Sequence, residues 1–371
     1  MAVPGEHPAA IAGAPIAWSE LQRILVVRPD NLGDVLLLSP ALRSLRATAT
    51  GARLDLLTSP AGASVVALLP EVDDTIVTSP SWQDTGMAGA PDPGAELALV
   101  QRIGSGRYDA ALVMTSFSQS PYPAASLCLL AGVPIRAGIS AEFGGTVLTH
   151  WVPSPRETQH QADRALHLLD RIGVPPTPDR RLHAAVPAGA AEAARGIAGV
   201  DDSSGFAVLL PGASCSSRRY PPERWAAVAA ALDHDGFDVV VTGSAREEEL
   251  VRRVSGAAGP AVRGVAGALD VLQLAALLAE AAIVVTNNSG GMHLADAVRA
   301  PLVALYAGTE LLEEYAPRST SATVLRRPTW CTPCRTFTCP YGQECLDVSP
   351  AEVVSAATAL ARRTPARRSL Q

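Results

Sequence analysis

The sequence predicts an α/β protein built on two doubly wound parallel sheets. Three observations predict it. Short β-branched and apolar runs alternate with stretches of helical periodicity in two successive blocks. Residues 282–297 read as a buried strand, a Gly-Gly turn and a helix that starts at once. The chain has 371 residues, 48% hydrophobic and 18% charged, enough for two domains with sizeable cores.

In chain order, residues 1–22 form a loose extension rich in Ala, Pro and Gly. They lack a basic leader, and Glu6 and His7 stand where a signal peptide needs apolar residues. The first domain is expected over 23–185. It opens with the strand Arg23–Arg28, the loop 29–34 and a helix carrying Leu36, Leu37, Leu42 and Leu45, with Pro40 in its first turns. Strands are expected at 53–57, 74–78 and 110–114, a Gly/Pro-rich loop at 83–95, and a closing helix at 160–172. The proline-rich stretch 175–190 reads as the linker. The second domain spans 186–345, with strands at 206–210, 238–242, 283–286 and 302–306. Helices alternate with them at 222–232, 246–254, 271–279 and 290–298, and a last helix with its tail occupies 346–371. Right-handed crossovers would put the carboxyl ends of these strands on one edge, where ligands bind. The turns expected there, 211–214, 243–244, 287–291 and 307–309, are small and polar.

A net charge of −6 argues against a duplex-wide nucleic-acid surface. No apolar run reaches the ~20 residues of a membrane span. The expectation is a cytoplasmic protein, with at most peripheral association at the inner face of the membrane. The chain has no lysine, so any phosphate clamp must use arginine.

Several residues could carry chemistry. Asp34 follows the first strand at the start of a helix, where a carboxylate meets the positive end of the helix dipole. It fits a cap or a general base, and Gly33 before it permits close approach of a substrate. Ser214, Arg218 and Arg219 lie between the strand ending at Leu210 and the helix opened by Pro222. Two arginines among small residues suit a diphosphate, although a solvated basic loop looks the same. Gly212 and Gly243 close their strands, and Glu247 opens the next helix. Glu247 fits either a dipole-driven placement or a contact to ribose hydroxyls. Asn288, Ser289, Gly290, Met292 and His293 form a strand-to-helix turn suited to an anion. His160 and Arg164 share a helix face and could touch an acceptor, or simply pack. Cys331, Cys334, Cys339 and Cys345 are spaced C-x2-C-x4-C-x5-C, which in a cytoplasmic chain favours a structural zinc or iron–sulfur site or a redox pair.

Together these residues resemble glycosyltransferase family nine, the heptosyltransferases. Three segments carry the likeness: Arg28 through Leu42, Pro211 through Trp225, and 282–297 followed by Pro301 through Tyr306. The resemblance implies a GT-B fold, two Rossmann-like domains facing a cleft, with the acceptor in the first domain and a nucleotide-sugar donor in the second. It implies an inverting, metal-independent transfer with Asp34 as general base, a donor such as ADP-heptose, and a glycan or glycolipid acceptor of the lipopolysaccharide-core type. Arg218 falls where many members have lysine, and Asn288 and Ser289 where they have aspartate and threonine. The last helix would cross back to the first domain. A glycosyltransferase with another nucleotide-sugar donor and a non-lipopolysaccharide acceptor, a GT-B-like nucleotide-sugar epimerase and a non-catalytic binding module stay open beside this reading.

Overall fold

Parallel pairing runs through both sheets of the computed structural model, which describes residues 13–83, 90–155, 157–201 and 205–363. The expected extension 1–22 therefore lies largely outside the described residues, as do most of the loop tip in 83–95 and the tail beyond 363. The chain divides into two units, Met1–Arg180 and Arg181–Gln371, parting inside the proline-rich stretch.

The first unit contains β1 (Arg23–Arg28), β2 (Arg53–Thr58), β3 (Asp74–Val77), β4 (Ala110–Val113), β5 (Ile135–Ser140) and β6 (His150–Pro153), in the spatial order β3-β2-β1-β4-β5-β6. The second contains β7 (Phe206–Leu210), β8 (Asp238–Gly243), β9 (Arg263–Ala266), β10 (Ile283–Asn287), β11 (Leu302–Leu305) and β12 (Ala322–Leu325), in the order β12-β11-β10-β7-β8-β9. Both orders reverse direction between the first and fourth strand of the unit. That is the switch point of a doubly wound sheet, and crossovers there leave a crevice beyond the strand ends. The central strands are buried on both faces, so β1, β7 and β10 read as continuous Val, Ile and Leu rather than as alternation.

Four strands escape periodicity. β5 carries Arg136, whose buried guanidinium donates to the carbonyls of Val133, Pro134, Thr146 and Val147. β6, β9 and β12 lie at sheet edges, and β9 and β12 are only partly buried, so burial imposes no continuous apolar run on them. The helix after β1 is split into Leu32–Leu36 and Ser39–Thr48. Pro40 lacks an N–H and its ring clashes with the carbonyl four residues back, so it serves as an N-terminal residue of the second piece. Pro93–Ser105 is helical although its start was expected in a loop. Asp92 accepts from Gly94 N at 2.8 Å and Pro93 takes the first helical position.

Within the second unit, the last helix is Pro350–Arg363. Val353, Ala357 and Leu360 lie on one stripe and join the cluster of Trp225, Val228 and Leu232 in the second unit, where the helix packs on Pro222–His234 and on β10 to β12. Burying each such side chain contributes about 1.5–3 kcal/mol, which decides where the helix docks. Its first turn is pinned by Glu352, which accepts from Arg327 Nη2 at 2.6 Å and from Ser349 N at 2.9 Å. The Arg327 contact, then the Ser349 N–H, hold the Glu352 carboxyl down at about 2. A carboxyl with a depressed folded-state value stabilises the fold fully above its ordinary value, and that contribution is lost as pH falls through the folded value. The Tm difference between the protein and Glu352→Gln is therefore expected to be constant above about pH 5 and to shrink between about pH 4.5 and 2. A difference that widens on acidification would overturn the assignment.

Candidate functional site

In the first unit the loops after β1 and β4 meet at the switch point around Arg28. This arginine ends β1 with its side chain fully buried. Its Nη2 donates to Asp34 Oδ1 and to Ser116 Oγ, both at 2.8 Å, and its Nη1 donates to Met114 O at 3.2 Å. Its Nε lies 3.1 Å from Asp30 Oδ2. Asp30 Oδ1 also accepts from Gln119 Nε2 at 2.7 Å, which ties the β1 loop to the β4 loop. Burial pushes the Asp30 carboxyl above its ordinary value, against the pull of Arg28 and aided by the charge of Asp34. Asp34 remains 22% exposed, with the rest of its surface fixed by Arg28, while Gly33 is buried beside it. The result is a carboxylate held in one place with an edge open to a reactant. Sequence reasoning selected Asp34 and missed Arg28, Asp30 and Gln119. The signal was present, since Arg28, Asp30 and Asp34 sit within seven consecutive residues of a strand end.

The two weaker candidates nearby act from beneath. His160 caps the helix Gln161–Arg171, its Nδ1 accepting from Ala162 N at 3.2 Å. Arg164 is 3% exposed, donates to Thr115 O at 3.2 Å and stacks on Phe117 at 5.1 Å. Arg164 thereby packs against the β4 loop, while His160 caps its own helix.

In the second unit the loops after β7 and β10 meet in the same topological place. Asn287, fully buried, donates through Nδ2 to Pro211 O at 2.8 Å and Gly212 O at 3.3 Å, and its Oδ1 accepts from Tyr220 N at 3.2 Å. One amide thus fixes both loops, and sequence reasoning passed over it in favour of its neighbour. Asn288 is also buried. Its Oδ1 accepts from Ala307 N at 3.0 Å and its Nδ2 reaches Thr309 Oγ1 at 3.5 Å. Its side chain therefore braces the turn after β11. The helix Gly290–Ala297 starts at Ser289 with no side-chain cap. Gly291 packs closely on Leu210, since a Cβ there would sit 2.7 Å from Leu210 Cδ1, which would have to shift. Met292 and His293 are buried on that helix, His293 with its ring 6.2 Å from that of Tyr315.

The arginine loop divides its labour. Arg219 donates twice to Ala213 O, at 3.0 and 2.9 Å, and so holds the turn that carries the exposed Ser214. Arg218 is 21% exposed, donates to Thr309 Oγ1 at 3.0 Å and pairs with Glu310 at 2.6 Å. Glu310 is a further residue that sequence reasoning missed, since it lies just past the last expected turn. Glu247 accepts from Ser244 N and Ser244 Oγ, both at 2.8 Å, in a capping box that follows Gly243. Its carboxylate also lies where a Cβ on Gly212 would be, 1.8 Å from Oε1. Gly212 thus gives Glu247 its place at the crevice edge.

The four cysteines do not support a metal site. Among the described residues no group of three or more His, Cys, Asp or Glu is arranged to hold a metal ion. Cys331 donates to Thr329 Oγ1 at 3.5 Å, Cys334 lies 3.2 Å from Thr336 Oγ1, and Cys339 accepts from Tyr341 N at 3.4 Å. Burial, with the charge of the other three cysteines, pushes the Cys345 thiol up, against an N–H bond from Gly308. Cys128 is a core thiol that burial pushes up to about 12.

Two doubly wound sheets, each gathering polar loops at its switch point, define a two-domain α/β protein of the GT-B class. The model of glycosyltransferase family 9 (heptosyltransferase) matches residues 96–344, and the chain belongs to that family. It is therefore a transferase, which sets aside the epimerase and binding-module readings. It is 27% identical over 353 residues to lipopolysaccharide heptosyltransferase 2 of Escherichia coli K12, covering 91% of this chain and 98% of that one. Among solved structures it is similar to the E. coli ADP-heptose lipopolysaccharide heptosyltransferase II, with a TM-score of 0.76, 25% identity and coverage of 92% and 99%. It also resembles a family 9 glycosyltransferase from Veillonella parvula DSM 2008, with a TM-score of 0.79, 23% identity and coverage of 95% and 100%. Among the described residues no helix is long and apolar enough to cross a membrane.

Proposed function

We propose that this chain transfers heptose from ADP-heptose to a hydroxyl of a glycan or glycolipid acceptor, with inversion and without a metal. The observation that carries the reading is the open-edged Asp34 carboxylate, fixed by buried Arg28 at the switch point of the first sheet. The donor preference rests on the relatives, two of which are named for ADP-heptose or lipopolysaccharide heptosyl transfer. In this reading the first unit takes the acceptor and the second the nucleotide sugar. Asp34 removes the acceptor hydroxyl proton as the oxygen attacks the anomeric carbon. The bond from that carbon to the β-phosphate oxygen breaks, and ADP leaves with the electron pair. One displacement inverts the anomeric centre.

The second unit supplies the positive charge that the leaving diphosphate needs. Arg218 offers a guanidinium fork, and the uncapped N-terminus of Gly290–Ala297 offers backbone N–H groups beside Ser289. Glu247, at the crevice edge, is the carboxylate for the ribose hydroxyls. Arg218→Gln is expected to raise the donor KM by about tenfold or more, from the loss of a charge-assisted contact. Equal KM values would remove Arg218 from the donor site. The overall reading is tested by incubating the protein with ADP-, GDP-, UDP- and dTDP-sugars and following binding and turnover by mass spectrometry. Preference for ADP-heptose supports it, and preference for another nucleotide sugar overturns the donor.

A further inference from the structure

Two adjoining cavities open at the switch point of the first sheet, one of about 420 Å³ and one of about 230 Å³. They share Pro29 and Gln83, and together they have the size of a small-molecule site. Asp30 lines the larger one and is joined to Asp34 through Arg28, two residues that themselves line neither cavity.

The lining has a definite chemistry. The larger cavity carries three carboxylates, Asp30, Asp92 and Glu96, and neither cavity is lined by an arginine or histidine among the described residues. Asp30 is balanced by Arg28, whereas among the described residues Asp92 and Glu96 have only backbone donors, Gly94 N for Asp92 and Ser81 N for Glu96, each at 2.8 Å. Glu96 Oε2 is buried at the cavity wall with no hydrogen-bond partner. In the smaller cavity the hydroxyl of Thr115 is likewise buried without a partner, and Trp82 adds an indole. Carboxylates accept hydrogen bonds from hydroxyls and repel phosphate, and an indole face suits the C–H side of a sugar ring.

Resting on the transferase reading above, we propose that these cavities seat an uncharged, hydroxyl-rich sugar as the acceptor and discriminate against acceptor sugars bearing phosphate. Hydroxyls satisfy the free Glu96 oxygen and the Thr115 hydroxyl. A phosphate in the same place meets Asp92 and Glu96 with no cation among the described lining residues to offset them.

The test compares methyl α-glycosides of mannose and heptose with the same sugars carrying a phosphate, in two assays. Calorimetric titration of the protein without donor measures acceptor binding alone, and ADP release from ADP-heptose measures transfer. Neutral glycosides are expected to bind at least about tenfold more tightly than their phosphorylated partners, and to be preferred in kcat/KM by a similar factor. The double substitution Asp92→Asn, Glu96→Gln is expected to narrow the binding ratio at least threefold. Equal or tighter binding of the phosphorylated sugars, binding of neither, or a ratio unmoved by the double substitution overturns the proposal. Selective binding of neutral glycosides without any transfer would instead sink the transferase chemistry and leave the acceptor class standing.

Discussion

Asp34→Asn is expected to lower kcat for sugar transfer by about 10²- to 10⁴-fold while donor affinity stays within about twofold. The amide matches the carboxylate in size, and its oxygen still accepts from Arg28 Nη2, so the loop keeps its shape. It cannot take a proton from an attacking hydroxyl. Loss in kcat with an unchanged melting temperature would separate chemistry from folding. A variant that keeps more than about a tenth of the activity would show that another group removes the proton, and the general-base assignment would fall. The pH profile adds a second readout. The acidic limb of kcat/KM should vanish in the variant, because that limb reports the ionisation of the base.

The second large effect concerns Arg28. Removing its guanidinium by Arg28→Met leaves Asp30 and Asp34 without the cation between them, and strips donors from Ser116 Oγ and Met114 O. Breaking a buried pair on one side costs about 3–5 kcal/mol, since the remaining charge stays buried. The pH dependence has a defined sign. Asp30 already sits above its ordinary value because of burial, and losing Arg28 raises it further. A carboxyl raised in the folded state binds its proton more tightly there than in the unfolded chain, so stability falls as pH rises through the folded-state value. The penalty of Arg28→Met, read as a shift in denaturant midpoint, should therefore be larger at pH 7.5 than at pH 5. Adding Asp30→Asn should recover part of it at pH 7.5. A penalty that grows on acidification, or no recovery, would remove the buried-charge account.

Much of this was legible in the sequence for a physical reason. Central parallel strands are buried on both faces, so β1, β7 and β10 announce themselves as continuous, mostly apolar runs. The small, polar residues after them mark the crevice edge. Edge strands obey weaker constraints, and β6, β9 and β12 lie at sheet edges, where burial imposes no continuous apolar run. Side-chain partnerships were less legible still. Asn287 and Asn288 are adjacent and identical, yet one locks the loops after β7 and β10 while the other braces the turn after β11. Arg218 and Arg219 divide in the same way, one to a carboxylate and one to a backbone carbonyl. Such choices depend on which groups the sheet order brings together, and Arg28 finding Ser116 is set by β1 and β4 being neighbours.

The ion pair between Arg218 and Glu310 has a bearing on turnover. On the reading proposed above, an incoming diphosphate competes with a tethered anion that never diffuses away. A single inorganic phosphate makes too few contacts to displace it, whereas a nucleoside diphosphate engages the helix terminus and the ribose carboxylate at the same time. Once the sugar bond is broken, Glu310 can reclaim the guanidinium, and that exchange hastens departure of the spent nucleotide. On that reading, weakening the pair by Glu310→Gln is expected to slow release of the spent nucleotide.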